Sequence, residues 1–163
     1  MAAGRPSLRA NAKMQRRIAA LAAASLPPLS GRILRILDDG LVESDGGVLL
    51  KALSPRADRF DARRHGDLTF YECEVNHLRF DAASSGADRA LATALTYAGQ
   101  LVEMLDRSGS AGPFRVIVAQ ETPDGACGVR FHRLRAEESW PAAVGESDGD
   151  AAMLVLDCGG GGD

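Results

Sequence analysis

Apolar residues recur every three or four positions over one long stretch of the chain, which is typical of an amphipathic helix. The stretch covers about Ala87–Arg107, and Gly109 ends it. Its apolar stripe consists of Leu91, Leu95, Ala98, Val102 and Leu105. In the segment 114–121 that follows, residues 116–119 are all apolar. A continuous apolar run indicates a strand whose two faces are both buried. Together the two patterns predict a helix that packs on a sheet with 114–121 in its interior.

Shorter patterns complete the predicted order of elements. Ser30 as an N-cap and Gly40 as a terminating glycine predict a short helix between them. Asp45-Gly46-Gly47 separates two strand-like segments, 41–44 and 48–53, which is a hairpin signal. Arg64-His65-Gly66 separates 57–63 from 67–78 in the same way. Further strands are predicted over 127–135 and 152–156. The resulting order is α-β-β-β-α-β with two extra C-terminal strands, an α/β fold with a mixed central sheet.

Length and composition fit one folded domain. The chain has 163 residues, of which 25% are charged, a composition that folded proteins share. We expect a basic arm over 1–28, a single domain over 29–158 and a flexible tail over 159–163. No apolar run approaches the roughly 18–20 residues of a membrane span. The three cysteines are too few and too scattered for a disulfide framework, which favours a reducing compartment.

The charge is distributed unevenly along the chain. The formal net charge is −3, but the first 37 residues contain no acidic residue and seven basic ones: Arg5, Arg9, Lys13, Arg16, Arg17, Arg32 and Arg35. A basic arm on an acidic body indicates a polyanionic partner.

Three interpretations of residues 1–28 stay open. The arm has the composition of an organellar transit peptide; it can form a helix whose basic face contacts nucleic acid or another partner; or it can be a tail without a role. In the second case the nucleic-acid-binding residues are Arg5, Arg9, Lys13, Arg16 and Arg17, and few residues of the arm join the core. The expected location is cytoplasmic or nucleoid-associated, unless the arm directs the chain to an organelle.

Three carboxylates form the candidate chemical site. Glu72 and Glu74 are two apart on a predicted strand and therefore share one face, while Tyr71, Cys73 and Val75 take the other. If Arg64-His65-Gly66 is a three-residue loop, Asp58 lies directly opposite Glu72 on the neighbouring strand. Carboxylates so close repel one another unless a cation lies between them, and Mg²⁺ accepts such ligands. The alternative is that the glutamates form the solvent face of the strand and Asp58 belongs to a turn.

Residues 57–76, from Asp58 through Glu72 and Glu74, resemble the PD-(D/E)XK nuclease superfamily. That pattern is an Asp that opens a strand, a hairpin turn, and an apolar strand ending in Glu-x-Lys. The following helix, from Arg89 to Leu101, resembles a helix of the same superfamily, and the resemblance covers about residues 30–121. It implies a restriction-endonuclease-like fold and Mg²⁺-dependent cleavage of the phosphodiester bonds of nucleic acid.

The resemblance also implies roles for the three carboxylates. Asp58 and Glu72 would bind Mg²⁺ together with the Cys73 carbonyl, and Glu74 would orient or deprotonate the attacking water. Asp61 is the fallback for Asp58. The chain departs from the pattern at Glu74, which stands where the superfamily has Lys, and at Thr93, which stands where its helix has Gln.

Two other functions stay open. A catalytically inactive nuclease fold can work by binding a protein, as a toxin inhibitor or a scaffold subunit. Alternatively, residues 17–53 form a winged helix, with two helices and a Gly-Gly wing, that binds DNA through Arg32 and Arg35 without catalysis.

Overall fold

The computed structural model describes residues 7–21, 26–60, 67–110, 112–136 and 151–159. In chain order they form β1 (Ser7–Ala10), α1 (Ala12–Leu21), α2 (Gly31–Asp38), β2 (Leu41–Ser44), β3 (Gly47–Leu50), a 3₁₀ helix (Lys51–Arg59), α3 (Leu68–Val75), β4 (Leu78–Phe80), α4 (Ala87–Arg107), β5 (Phe114–Gln120), β6 (Cys127–Arg133) and β7 (Met153–Cys158).

Five of the strands form one sheet in the order β1-β7-β5-β6-β4, and β2 with β3 forms a separate hairpin. The predicted α/β class is therefore confirmed. The predicted mixed sheet is wrong, because every strand pairing in the described part of the chain is antiparallel. β5 lies between β7 and β6, which confirms it as an interior strand.

The main core lies between one face of this sheet and α4. Helix α4 has the predicted bounds, and four of the five residues of its predicted stripe are buried: Leu91, Ala98, Val102 and Leu105. They join Val116, Val118 and Phe131 of the sheet in one cluster of buried residues. The 3.6-residue period of the helix aligns its apolar side chains along the face that meets the sheet.

α2 and the first hairpin form where local signals predict them, but β3 ends at Leu50, before the predicted end of the strand at residue 53. The Ser30 hydroxyl accepts a hydrogen bond from the Ile33 amide at the start of α2, and Gly40 follows the helix with φ of 72°. Asp45 and Gly46 both have positive φ, 51° and 83°. This is the conformation that a two-residue turn between twisted antiparallel strands requires.

The second predicted hairpin is wrong. Residues 51–59 form the 3₁₀ helix, and residues 68–75 form α3 instead of a strand. Thr69, Tyr71, Glu72, Cys73 and Val75 are all buried. A helix buried on several sides shows no single apolar stripe, so its sequence pattern resembles that of a strand. The missed signal was Asp67, whose carboxylate caps the helix by accepting from the Phe70 amide. The predicted turn residues 64–66 lie outside the described residues.

The described part of the basic arm is built into the fold. β1 pairs with β7 along four residues, from Ser7 opposite Asp157 to Ala10 opposite Leu154. Met14 of α1 is fully buried in the main core. As expected, few described residues of the arm are buried in the core, Met14 and Leu21, but strand pairing and helix packing both begin within the arm. Of the predicted tail, 159–163, the structure describes only Gly159.

Candidate functional site

Glu72 is a fully buried carboxylate whose two oxygens are both occupied by N–H donors. Oε1 accepts from the Val48 amide at 2.7 Å and from Arg135 Nη2 at 2.8 Å. Oε2 accepts from the Arg133 amide and from Arg135 Nη1, both at 2.9 Å. The guanidinium of Arg135 thus binds Glu72 in a bidentate manner, which is the strongest geometry for this pair. Glu72 connects α3 to the hairpin and to the end of β6.

Glu74 and Asp58 do not lie beside Glu72. Because residues two apart on a helix are about 200° apart around its axis, Glu74 points away from Glu72 and meets Arg130 at 3.4 Å. Asp58 is exposed on the 3₁₀ helix. The shared face expected of Glu72 and Glu74 on a strand is therefore wrong, and so is the strand register expected for Asp58.

These residues do not fit the metal site implied by the resemblance. Within the described ranges, no three side chains of His, Cys, Asp or Glu are grouped so that they could hold a metal ion. Glu72 would have to release four N–H donors before it could coordinate Mg²⁺. Asp61, the fallback ligand, lies outside the described residues. Cys73 is buried beside Ile117 and Val155, and burial raises the pKa of its thiol to about 12.

The residues predicted to bind nucleic acid have different environments. Arg17 donates to Gln120 Oε1 at 2.7 Å and to the Ala87 carbonyl at 3.1 Å, so it joins α1 to the sheet and α4. Arg9 pairs with Asp157 at 3.1 Å. Lys13 and Arg16 are exposed on α1. Arg5 lies outside the described residues. Arg9 and Arg17 are thus engaged within the fold.

A chain of charged side chains crosses the sheet face opposite α4. Glu121 Oε1 lies 2.7 Å from His77 Nε2 and 2.7 Å from Arg130 Nη2, and Arg130 continues to Glu74. Burial raises the pKa of Glu121, but the hydrogen bonds and charges of His77 and Arg130 outweigh burial, so the pKa of this carboxyl lies below its usual value. The network holds His77 in place at the start of β4.

Gly128 on β6 leaves the space that this network needs. A Cβ atom at Gly128 would lie 2.6 Å from His77 Nε2 and closer still to the Glu121 carboxylate. We expect Gly128→Ala to lower the free energy of unfolding by about 1–3 kcal/mol, the usual cost of overpacking. Urea denaturation measures it. Gly99→Ala is the matched control: apart from the nearby backbone of α4, no described atom lies within 4 Å of a Cβ atom placed there, so it should raise stability by about 0.5–1 kcal/mol. Equal effects of the two substitutions would contradict the close approach.

A basic cavity lies beside His77, between β4, α2 and the 3₁₀ helix. Its volume is about 550 Å³, within the range of small-ligand sites. Its polar lining residues include no acid: Ser30, Arg32, Arg56, His77 and Arg79. Its apolar lining residues are Ile33, Ile36, Leu53, Leu78 and Phe80. This combination of three cations and an apolar wall fits a ligand that carries both acidic and apolar groups.

Arg56 and Arg79 of this cavity each contact another group of the fold. Arg56 Nη1 donates to the His77 carbonyl at 2.6 Å. Arg79 pairs with Asp81 at 2.8 Å, but both side chains are about half exposed or more, so the pair contributes little stability and can be exchanged for another anion. The sequence indicated Arg32 as a candidate binding residue, but it did not indicate Arg56 or Arg79. No local pattern relates residues on a helix, a 3₁₀ helix and a strand that only the tertiary fold brings together.

No helix among the described residues is long and apolar enough to cross a membrane. A family model described as "Uncharacterized protein PM0498 family" matches residues 9–157. No curated protein and no solved structure matches the chain significantly.

Proposed function

We propose that the chain, which belongs to the Uncharacterized protein PM0498 family, is a binding protein that receives an acidic segment of a partner protein in the basic cavity. The observation that carries this proposal is the lining of the cavity, three arginines and a histidine with no acidic residue.

Glu72 and Glu74 are both occupied by groups of the fold, which favours a binding function over catalysis. The site implied by the nuclease resemblance needs Asp58 and Glu72 on one cation and Glu74 beside the attacking water. Glu72 is instead bound by Arg135 and two backbone amides, and Glu74 meets Arg130. The restriction-endonuclease-like topology and Mg²⁺-dependent cleavage stay predictions. The alternative in which the chain works by binding a protein agrees better with these contacts.

The charge of the whole chain favours a protein over a nucleic acid as the partner. With a formal net charge of −3, the molecule as a whole repels a polyanion, and its cations are concentrated locally. Nucleic-acid binding depends on neutralising many phosphates along the backbone. A peptide needs only a few acidic groups at the arginines, and its apolar side chains can cover Ile33, Leu53 and Phe80.

Isothermal titration calorimetry of the full chain tests this proposal with a capped pentapeptide of alternating glutamate and valine. We expect saturable binding that weakens as salt is added, because ions screen exposed charges. Arg32→Gln and Arg56→Gln should each weaken binding about tenfold, the equivalent of about 1.4 kcal/mol for a lost charge-assisted contact. Arg107→Gln is the control, since Arg107 is exposed on α4, pairs with Glu103 and does not line the cavity.

Two further probes separate the candidate functions. A peptide of alternating lysine and valine should not bind. A single-stranded 12-nucleotide DNA should bind more weakly than the acidic peptide and stay intact in Mg²⁺. Tighter binding of the DNA would show that the cavity takes phosphates, and its Mg²⁺-dependent cleavage would support the nuclease function. Failure of the acidic peptide to bind overturns the proposal.

A further inference from the structure

β4 is an edge strand of the five-stranded sheet. Among the described residues it stands at the end of the strand order and pairs only with β6, with Leu78 opposite Val129 and Phe80 opposite Cys127. The outer edge of such a strand presents backbone N–H and C=O groups that can pair with another chain. Proteins use this property to capture extended peptides as additional strands.

The basic cavity runs along this edge and not over one face of the sheet. Four consecutive residues, 77–80, line it. Successive side chains of a strand point to opposite faces. Phe80 points to the α4 face, where its ring lies 5.6 Å from that of Tyr97, and Arg79 points to the opposite face. A cavity that touches both therefore borders the edge of β4.

The side chains around this edge determine which kind of segment can pair with β4. Arg79 stands on the strand, Arg56 on the 3₁₀ helix and Arg32 on α2. Three cations repel a basic segment and attract an acidic one. Ile33, Ile36 and Leu53 offer an apolar surface to the side chains that alternate with the acidic ones. An extended segment with acidic and apolar residues in alternation complements both surfaces.

We propose that the acidic segment of the partner protein binds as a strand that pairs with the outer edge of β4 and becomes the sixth strand of the sheet. This inference rests on the proposed function, because it describes how the same cavity holds the same kind of ligand. Backbone hydrogen bonds to β4 supply affinity for an extended chain, and the three arginines select its charge.

N-methylated peptides test the strand pairing. Two versions of the glutamate–valine pentapeptide are compared by calorimetry, one methylated on its valine amides and one on its glutamate amides. In a paired strand, only alternate amides face the neighbouring strand. We therefore expect one methylated peptide to bind at least tenfold more weakly than the other, whichever register the peptide adopts. Amide hydrogen exchange at Leu78–Phe80 should also slow in the complex with the unmodified peptide.

The outcomes distinguish this inference from the proposed function. If the unmodified peptide does not bind, both are overturned. If it binds and the two methylated peptides have equal affinity, the strand pairing is overturned and the binding function stands. If the methylated peptides differ in affinity but Arg56→Gln does not weaken binding, the peptide pairs with the edge of β4, and the proposed selection of its charge by the arginines is wrong.

Discussion

Replacement of Glu72 by glutamine is expected to lower the free energy of unfolding by about 3–5 kcal/mol, the usual cost of breaking a buried ion pair. The substitution removes the negative charge and turns an amide N–H₂ toward donors that need an acceptor. Arg135, whose side chain is only 18% exposed, would lose its counterion, and one of the amides of Val48 and Arg133 would lose its acceptor. Guanidinium chloride denaturation followed by far-UV circular dichroism measures the loss.

Glu74→Gln is the matched control for this prediction. Glu74 lies on the same helix and also meets an arginine, but through one contact of 3.4 Å and with 29% of its side chain exposed. We expect a loss below about 1 kcal/mol, as for ion pairs near the surface. A double-mutant cycle of Glu72→Gln with Arg135→Met should show strong coupling between the two sites. Equal small losses for Glu72→Gln and Glu74→Gln would contradict a structural role for Glu72.

Asn76→Ala is expected to cost about 2–4 kcal/mol, because it leaves several buried polar groups without a partner. The Asn76 side chain accepts from the Leu50 amide at 2.8 Å. It donates to the carbonyls of Val48 at 2.9 Å and Phe131 at 3.3 Å. It is fully buried and joins β3 to β6 through the end of α3. Thermal and chemical denaturation of the purified variant give the loss.

A second variant at the same position separates the two directions of hydrogen bonding. Asn76→Asp keeps the acceptor for the Leu50 amide but replaces the donor with an oxygen that faces two carbonyls. At neutral pH we expect it to be at least as unstable as Asn76→Ala, because it adds an unpaired buried charge. Wild-type stability of Asn76→Asp would show that the donated hydrogen bonds contribute nothing.

The sequence predicted the elements whose signals are local. A serine cap and a terminating glycine bound α2, a two-residue turn joins β2 to β3, and a regular apolar stripe marks α4. Each signal acts within a few residues, so tertiary contacts do not override it. The interior position of β5 could also be predicted, because the apolar run 116–119 makes both faces of the strand apolar.

The segment with the candidate carboxylates carries one local signal for a helix, the cap residue Asp67, while its other residues indicate a strand. Leu68–Val75 is rich in residues that favour strands, and its helix exists because Asp67 caps it and surrounding elements bury it on several sides. Because the segment is a helix and not the predicted strand, Glu72 and Glu74 do not share a face. The partner of Glu72 is 63 residues away, and nothing in the spacing of the chain indicates Arg135.

The pairing of β1 with β7 has a consequence for synthesis on the ribosome. Arg9 and Asp157 are 148 positions apart, so the edge of the sheet formed by β1 cannot close until β7 has been translated. β5 also lacks its neighbour β7 until that moment, so Val116 and Val118 lack their partners on β7, Leu156 and Leu154. Contacts of such long range slow folding. We therefore expect nascent chains that end before residue 153 to expose the edge of β5 that β7 covers in the fold, and to depend on chaperones until β7 emerges.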